Sequence, residues 1–317
     1  MVENYGLPYT GSKSRIAHWV IDNLPCGRVL IDAFAGGCAI THRALLSQKW
    51  QTIIANDING KYPQLFADAV QGKYRDEKRW ISREDFERLK SQDAFIACCW
   101  SFGNNLQYYM YSRAIEPYKR ALHYAIVFND FEPMQELMPE VARAVREAIL
   151  CIRNTHDRRV TAQNVIVKTL KRLTGDNYAH SIIQSNPLYK TIRHASRNTP
   201  SLQSLQSLES LERMQSLESL RVTSLSYDEI DIPDDAVVYC DPPYHACNNS
   251  LYEGTARFDH NAFYDWCVRV SKTNPIFISE YSIEDDRFEV VAEKQKITSF
   301  ASVGSSIVTE RLYTVKK

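Results

Sequence analysis

An aspartate, two prolines and a tyrosine, Asp241-Pro242-Pro243-Tyr244, close the apolar run Val237-Val238-Tyr239-Cys240. The run reads as a short strand interior. Pro242 and Pro243 cannot donate a main-chain hydrogen bond and hold φ near −65°. Pro242 also pushes Asp241 toward extended backbone. The chain therefore leaves its sheet in a stiff, fixed direction. It presents one carboxylate, carbonyls with no competing N–H at the prolines, and the aromatic face of Tyr244. An ordinary strand-ending turn uses the same residue types. The sharper reading is a site for a flat ring that bears an amino group, and the rest of the chain has to decide between the two.

Three earlier stretches carry chemistry of their own: Tyr9-Thr10-Gly11-Ser12-Lys13, Asp32-Ala33-Phe34-Ala35-Gly36-Gly37, and Asn56-Asp57-Ile58-Asn59. Gly36 and Gly37 permit a tight turn and a close backbone approach to a ligand. The spaced glycines of a dinucleotide fingerprint are missing, and no Gly-Lys-Ser/Thr follows, which argues against a phosphate cradle. An acid, Asp32, stands at the turn instead. It suits a cationic ligand, and S-adenosylmethionine, with its sulfonium and ammonium groups, fits. Asp57 ends the next strand, where an acid can accept from both ribose hydroxyls. It can equally cap a turn or helix. With Asp32 upstream, the ligand reading overtakes the cap.

These residues need elements to hold them. Residues 28–46 read as strand, glycine turn and helix, and residues 51–70 repeat the unit. Successive units of this kind build a parallel α/β sheet, with ligands at the carboxyl ends of the strands. From about residue 71 the texture is helical, as in residues 78–90, 139–154 and 161–175, and no further strand–turn–helix unit appears before the strand at 237. Residues 274–280 and 307–315 read as strands. The expected organisation is a catalytic and cofactor-binding core in two parts, 1–70 and 222–317, around a mainly helical insertion, 71–221. Within the insertion, Leu202, Leu205, Leu208, Leu211, Met214, Leu217 and Leu220 recur every third residue. On an α-helix such a stripe would drift around the whole surface, so a spiral of short turns or an extended linker competes with a helix there.

The chain has 317 residues and a formal net charge of zero. Residues 140–200 hold eleven Lys or Arg against four Asp or Glu. That local surplus marks either a face that meets phosphates or a solvated helix face. Eight cysteines occur without any Cys-x-x-Cys spacing, a pattern of reduced cytosolic thiols more than of disulfides or zinc. No apolar run is long enough to cross a bilayer, and the N-terminus lacks the features of a signal peptide.

Taken in order and spacing, the four motifs resemble those of N6-adenine DNA methyltransferases of the Dam-like class. In that class the cofactor motifs precede an inserted recognition domain and Asp-Pro-Pro-Tyr comes late. The class begins on a tryptophan, a small residue, two glycines and a lysine; here Tyr9 and Lys13 keep the aromatic and the lysine. Its first-strand motif usually ends on a further glycine, where this chain has Cys38. Residues 101–113 resemble the segment that opens the family's recognition region.

The resemblance implies a Rossmann-like methyltransferase core with an inserted helical recognition domain. It implies an S-adenosylmethionine-dependent enzyme that needs no metal and acts on the adenine N6 of a specific double-stranded DNA sequence. Tyr9, Lys13, Asp32, Phe34, Gly36, Asp57, Ser226, Tyr227 and Asp241 would hold the cofactor, Ser226 and Tyr227 against its adenine. Asp241, Pro242, Pro243 and Tyr244 would be catalytic, with Tyr244 stacking on a flipped base. Arg158, Arg159, Lys168, Lys171 and Arg172 are the expected phosphate contacts, and Gln163 and Asn164, near the start of a helix, either read base edges or cap it. The setting would be the cytoplasm of a bacterial or phage-infected cell, with no membrane partner and with oligomeric state open. An RNA adenine or N4-cytosine methyltransferase meets the same chemical problem, and a silent DNA-binding relative is the alternative outside catalysis.

Overall fold

The structure is a computed structural model that describes residues 5–174, 187–197, 219–244, 258–300 and 304–317, together with 207 and 211. The chain divides into two compact units, one of Met1–Arg75 with Leu208–Lys317 and one of Asp76–Ser207.

The first unit begins with a 3₁₀ turn, Ser14–Ile16, that runs into α1 (Ala17–Asn23). Strand β1 (Gly27–Asp32), helix α2 (Ala39–Ser47), strand β2 (Trp50–Asn56) and helix α3 (Lys61–Val70) follow. The last four residues of β1 are all buried, as expected of a central parallel strand covered on both faces. Ile16, Val20, Ile21 and Ile40 pack with Leu30 and Ile53 in one layer of the core.

The second unit is helical. It comprises α4 (Arg83–Leu89), α5 (Ala94–Trp100), α6 (Glu116–Phe128), α7 (Glu132–Leu137), α8 (Pro139–Ile149), α9 (Thr155–Thr174) and α10 (Pro187–Arg197). Helix α4 starts later than its sequence suggests. Ser82 accepts from the Asp85 N–H and stops the helix there, so residues 78–82 are not helical. Trp80 instead stacks on Tyr111, with ring centroids 5.6 Å apart and 6° between planes. Gln163 and Asn164 fall well inside α9, not near its start, so neither serves as a cap.

The chain then returns to the first unit through β3 (Leu220–Thr223), β4 (Val237–Cys240), α11 (His260–Val270), β5 (Ile276–Glu280), β6 (Phe288–Phe300) and β7 (Gly304–Val315). The sheet order is β3-β2-β1-β4-β5-β7-β6. Strands β1 to β5 run parallel to one another, and β7 is antiparallel to both β5 and β6. This is a mainly parallel, Rossmann-like sheet. Strand β3 was not among the strands expected, although it lies where the chain was expected to return to the sheet. It has four residues and a half-exposed edge position, too little for an alternation to show. The leucine-every-third stretch lies almost wholly outside the described residues.

From β1 the chain moves outward to β2 and β3, then jumps back to β4 on the other side of β1. The topological switch point therefore lies between β1 and β4, the place where open α/β sheets bind ligands. Asp32 pairs in register with Tyr239. Asp241, two residues further on, thus emerges just above the carboxyl end of β1.

Candidate functional site at the carboxyl ends of the strands

The turn after β1 is built by main-chain geometry. Gly36 has φ +46°, and a Cβ on Gly37 would stand 2.5 Å from the Cβ of Tyr9. Glycine is therefore required for Tyr9 to lie against this turn. Asp57 fastens the turn from the neighbouring strand: its Oδ2 accepts from the Gly36 N–H at 2.9 Å, and its Oδ1 from the Asn59 N–H at 2.8 Å. Both of its oxygens thus do structural work, as the turn reading expects. Cys38, where the related glycine would stand, is in the left-handed region at φ 60°. That conformation costs a non-glycine residue about 1–2 kcal/mol. The thiol is fully buried.

Asp32 is almost wholly buried at the same turn. Its Oδ2 accepts from the Thr41 N–H at 3.1 Å and the Thr41 hydroxyl at 2.7 Å, which ties β1 to the first turn of α2. Burial pushes its carboxyl up to about 7, Thr41 opposes this, and Asp241 and Asp57 add to it. Burial likewise raises Asp57. Asn56, quoted in the motif but not singled out, stitches three strands together. Its Nδ2 donates to the Ala33 and Leu225 carbonyls, and its Oδ1 accepts from Thr223 and the Leu225 N–H.

Phe34 and Tyr227 come together as a near-parallel pair, with centroids 5.7 Å apart and 29° between planes. Phe263 meets both rings edge-on. Ser226 commits its polar atoms to its own turn, with its N–H on Glu229 and its hydroxyl on Asp228. This is a capping box at the 3₁₀ turn Tyr227–Glu229.

The second group gathers around the loop after β4. Lys13, at the entry to the first 3₁₀ turn, places Nζ 2.7 Å from Asp241 Oδ1 and 3.8 Å from Glu310 Oε1. The same ammonium stands 4.4 Å from the ring centroid of Tyr244. The Tyr244 hydroxyl donates to Glu310, and Tyr281 meets the Tyr244 ring in a T-shaped contact at 4.6 Å. Burial opposes the charge on Lys13, but Asp241 and Glu310 outweigh it and hold the ammonium above its usual range. The Lys13 and Asp241 side chains are 9 and 18 % exposed, and that of Glu310 is 0 %. Tyr244, expected to supply a stacking face for a base, is only 9 % exposed, with Lys13 over its ring and Tyr281 at its edge.

Sequence reasoning missed Glu310, Thr41 and Tyr281. Glu310 did leave a signal. It shares an inward-facing alternation with Leu312 on β7, and an acid on a core face needs partners.

S-adenosylmethionine presents a sulfonium, an ammonium and a flat purine, and the donor set fits it. Three carboxylates gather around the carboxyl end of β1, Asp32 is raised partly by the other two, and a stacked aromatic pair lies at the end of β1. Among the described residues no group of three His, Cys, Asp or Glu is placed to hold a metal ion, and no helix is long and apolar enough to cross a membrane.

In the helical unit, Arg158 corrects an expectation. It is 4 % exposed, and its guanidinium donates to the carbonyls of Ala125, Ile126, Ile149 and Ile152. It closes the ends of α6 and α8 and does not offer itself to a phosphate. Lys168, Lys171 and Arg172 are exposed on α9, and Arg159 is half-buried one turn from His156.

A comparison with curated proteins found no match. The family model for D12 class N6 adenine-specific DNA methyltransferases matches residues 9–155. That stretch contains the first motifs, Tyr9 to Asp57, and the start of the helical unit. The match indicates an S-adenosylmethionine-dependent adenine DNA methyltransferase.

Proposed function

We propose that this chain, an adenine-specific DNA methyltransferase of the D12 class, methylates the N6 amino group of an adenine within one specific DNA sequence. The target base is turned out of the duplex to reach the Asp241–Tyr244 loop. The observation that carries this reading is the meeting of Asp241 with Asp32 at the β1–β4 switch point, with Lys13 ion-paired to Asp241 at 2.7 Å.

The exocyclic nitrogen of adenine is a weak nucleophile because its lone pair is delocalised into the ring. A carboxylate oxygen of Asp241 accepts one N6 hydrogen and the carbonyl of Pro242 accepts the other. Together they draw the nitrogen toward a tetrahedral shape with its lone pair available. Acceptors aimed at charge that develops in the transition state are each worth roughly 3–4 kcal/mol. Pro242 and Pro243 hold the loop rigid enough for that aim. Lys13 leaves one Asp241 oxygen for the amine by occupying the other. A base that stacks on Tyr244 takes the place over the ring now held by the Lys13 ammonium, which then turns toward Asp241 and Glu310. Bound S-adenosylmethionine supplies an electrophilic methyl on its sulfonium. Asp32 and Asp57 favour such a cation at the turn, while Phe34 and Tyr227 supply apolar surface for its purine, with Tyr9 and Gly36 shaping the wall.

The second unit, Asp76–Ser207, is proposed to hold the duplex, with Arg159, Lys168, Lys171 and Arg172 on phosphates. Turning a base out costs a few kcal/mol of unstacking, and stacking on Tyr244 returns about 1–3 kcal/mol. The reaction is assigned to the cytoplasm. The test is expression in a host that lacks adenine methylation, followed by sequencing that detects N6-methyladenine. One short motif methylated throughout is the expected result. Methylation scattered without a motif, or none, overturns sequence-specific action.

A further inference from the structure

We infer that Glu310 is a positioning residue for the methyl transfer: from β7 it holds the Tyr244 hydroxyl and shares the Lys13 ammonium with Asp241, and so sets where the acceptor loop stands. The inference rests on the function proposed above.

Glu310 lies on the far side of the sheet order from Asp32, two strands from β4. It is the one carboxylate of the cluster with no exposure at all. A buried carboxylate is costly unless charged and hydrogen-bonded partners compensate it. Here those partners are the two residues that flank the proposed chemistry. The groups facing Lys13 are Asp241 and Tyr244 from the loop after β4, Tyr281 from the end of β5, and Glu310 from β7. Two carboxylates thus face one ammonium. With both in place, the Lys13 charge is divided, and Asp241 keeps acceptor strength for the amine. With Glu310 neutral, the ammonium turns wholly to Asp241 and competes with the N6 hydrogens. The Tyr244 hydroxyl then donates to a neutral oxygen, a weaker acceptor than the carboxylate. A loop shifted by about 1 Å can cost about 100-fold in rate.

Glu310→Gln keeps the volume and removes the charge. The expected result is a fall in kcat of about 10- to 100-fold, while the Kd for S-adenosylmethionine by calorimetry stays within about threefold. Loss of one of two carboxylates also makes Lys13 lose its proton at lower pH, so the alkaline limb of kcat moves to lower pH. Glu310→Asp recovers part of the rate. A purely structural role would lower stability and active fraction without moving that limb. Should Glu310→Gln fail to fold by circular dichroism, Tyr244→Phe tests the same link. It leaves the acid in place and removes the donated hydroxyl, and the expected fall is again about 10-fold or more. Full activity with an unmoved alkaline limb in whichever variant folds overturns the role of Glu310 alone. Absence of methyl transfer by the unaltered chain overturns the parent function, and the inference with it.

Discussion

Asp32 and Asp241 end neighbouring parallel strands, and their surroundings differ in kind. Asp32 is held by an N–H and a hydroxyl of Thr41, both neutral donors. Asp241 is more exposed and faces the Lys13 ammonium. The first arrangement ties a strand to a helix and tolerates a proton. The second keeps a charge in place at the mouth of the sheet. Two acids of one residue type, on adjacent strands, are thus separated into a builder of the turn and a charged partner of Lys13, and the separation comes from their partners.

That contrast can be broken most forcefully at Asp241. Asp241→Ala should lower methyl transfer by about 10²–10³-fold, the loss typical of one well-placed polar group in a transition state. Its thermal unfolding should stay cooperative. Measured single-turnover rates near the unaltered value would remove Asp241 from the reaction.

The helical unit repeats the contrast with cations. Arg158 satisfies four carbonyls from a buried position, whereas Lys168, Lys171 and Arg172 are exposed. Arg158→Met should destabilise by about 3 kcal/mol, since several buried acceptors lose their donor. Denaturant titration reads this. Alanine at Lys168, Lys171 and Arg172 together should leave stability within about 1.5 kcal/mol. The same triple variant should reduce the salt dependence of DNA binding by about 0.9 per lost phosphate contact. An unchanged salt slope would take α9 out of the DNA interface.

Asp32 itself makes a pH prediction. Its carboxyl rises from an ordinary 3.8 to about 7, chiefly through burial. The folded state therefore holds the proton more tightly than the unfolded chain. The sign follows: this contribution favours the fold below about pH 4, is lost as pH rises to about 7, and is level beyond. Asp32→Asn keeps an acceptor for Thr41 without the charge. It should be more stable than the unaltered chain by about 2–4 kcal/mol at pH 8 and nearly equal at pH 4. A variant that is less stable at pH 8 would contradict this account of Asp32. The smallest effect is expected at Cys38. Cys38→Gly should change stability by less than about 1 kcal/mol, because relief of the left-handed backbone offsets the lost burial of the thiol.

The loop Asp241–Tyr244 was legible in the sequence because two prolines after a strand leave few conformations. Strands β1 and β2 were legible because a glycine turn and a polar turn punctuate their apolar runs. Arg158 was misread because charge counts along a chain do not say which side of a helix faces the core. Its neighbours Ala162 and Ile166, one and two turns on, are buried with it, and that spacing was available as a warning. Glu310 was passed over because it is nearly 70 residues from Asp241 and carries no motif. Only the antiparallel return of β7 beside β5 brings it to Tyr244. Strand β6 was missed for a related reason: an edge strand with alternating charges reads as a polar segment.

The central claim is that this site moves a methyl group onto the amine of adenine in DNA. Incubation of the chain with duplex DNA and S-adenosylmethionine labelled in its methyl group, followed by digestion to nucleosides, tests it directly. The account predicts that the label elutes with N6-methyladenosine of the deoxy series. Label in N4-methylcytosine, label found only when RNA replaces the duplex, or no label at all would contradict it.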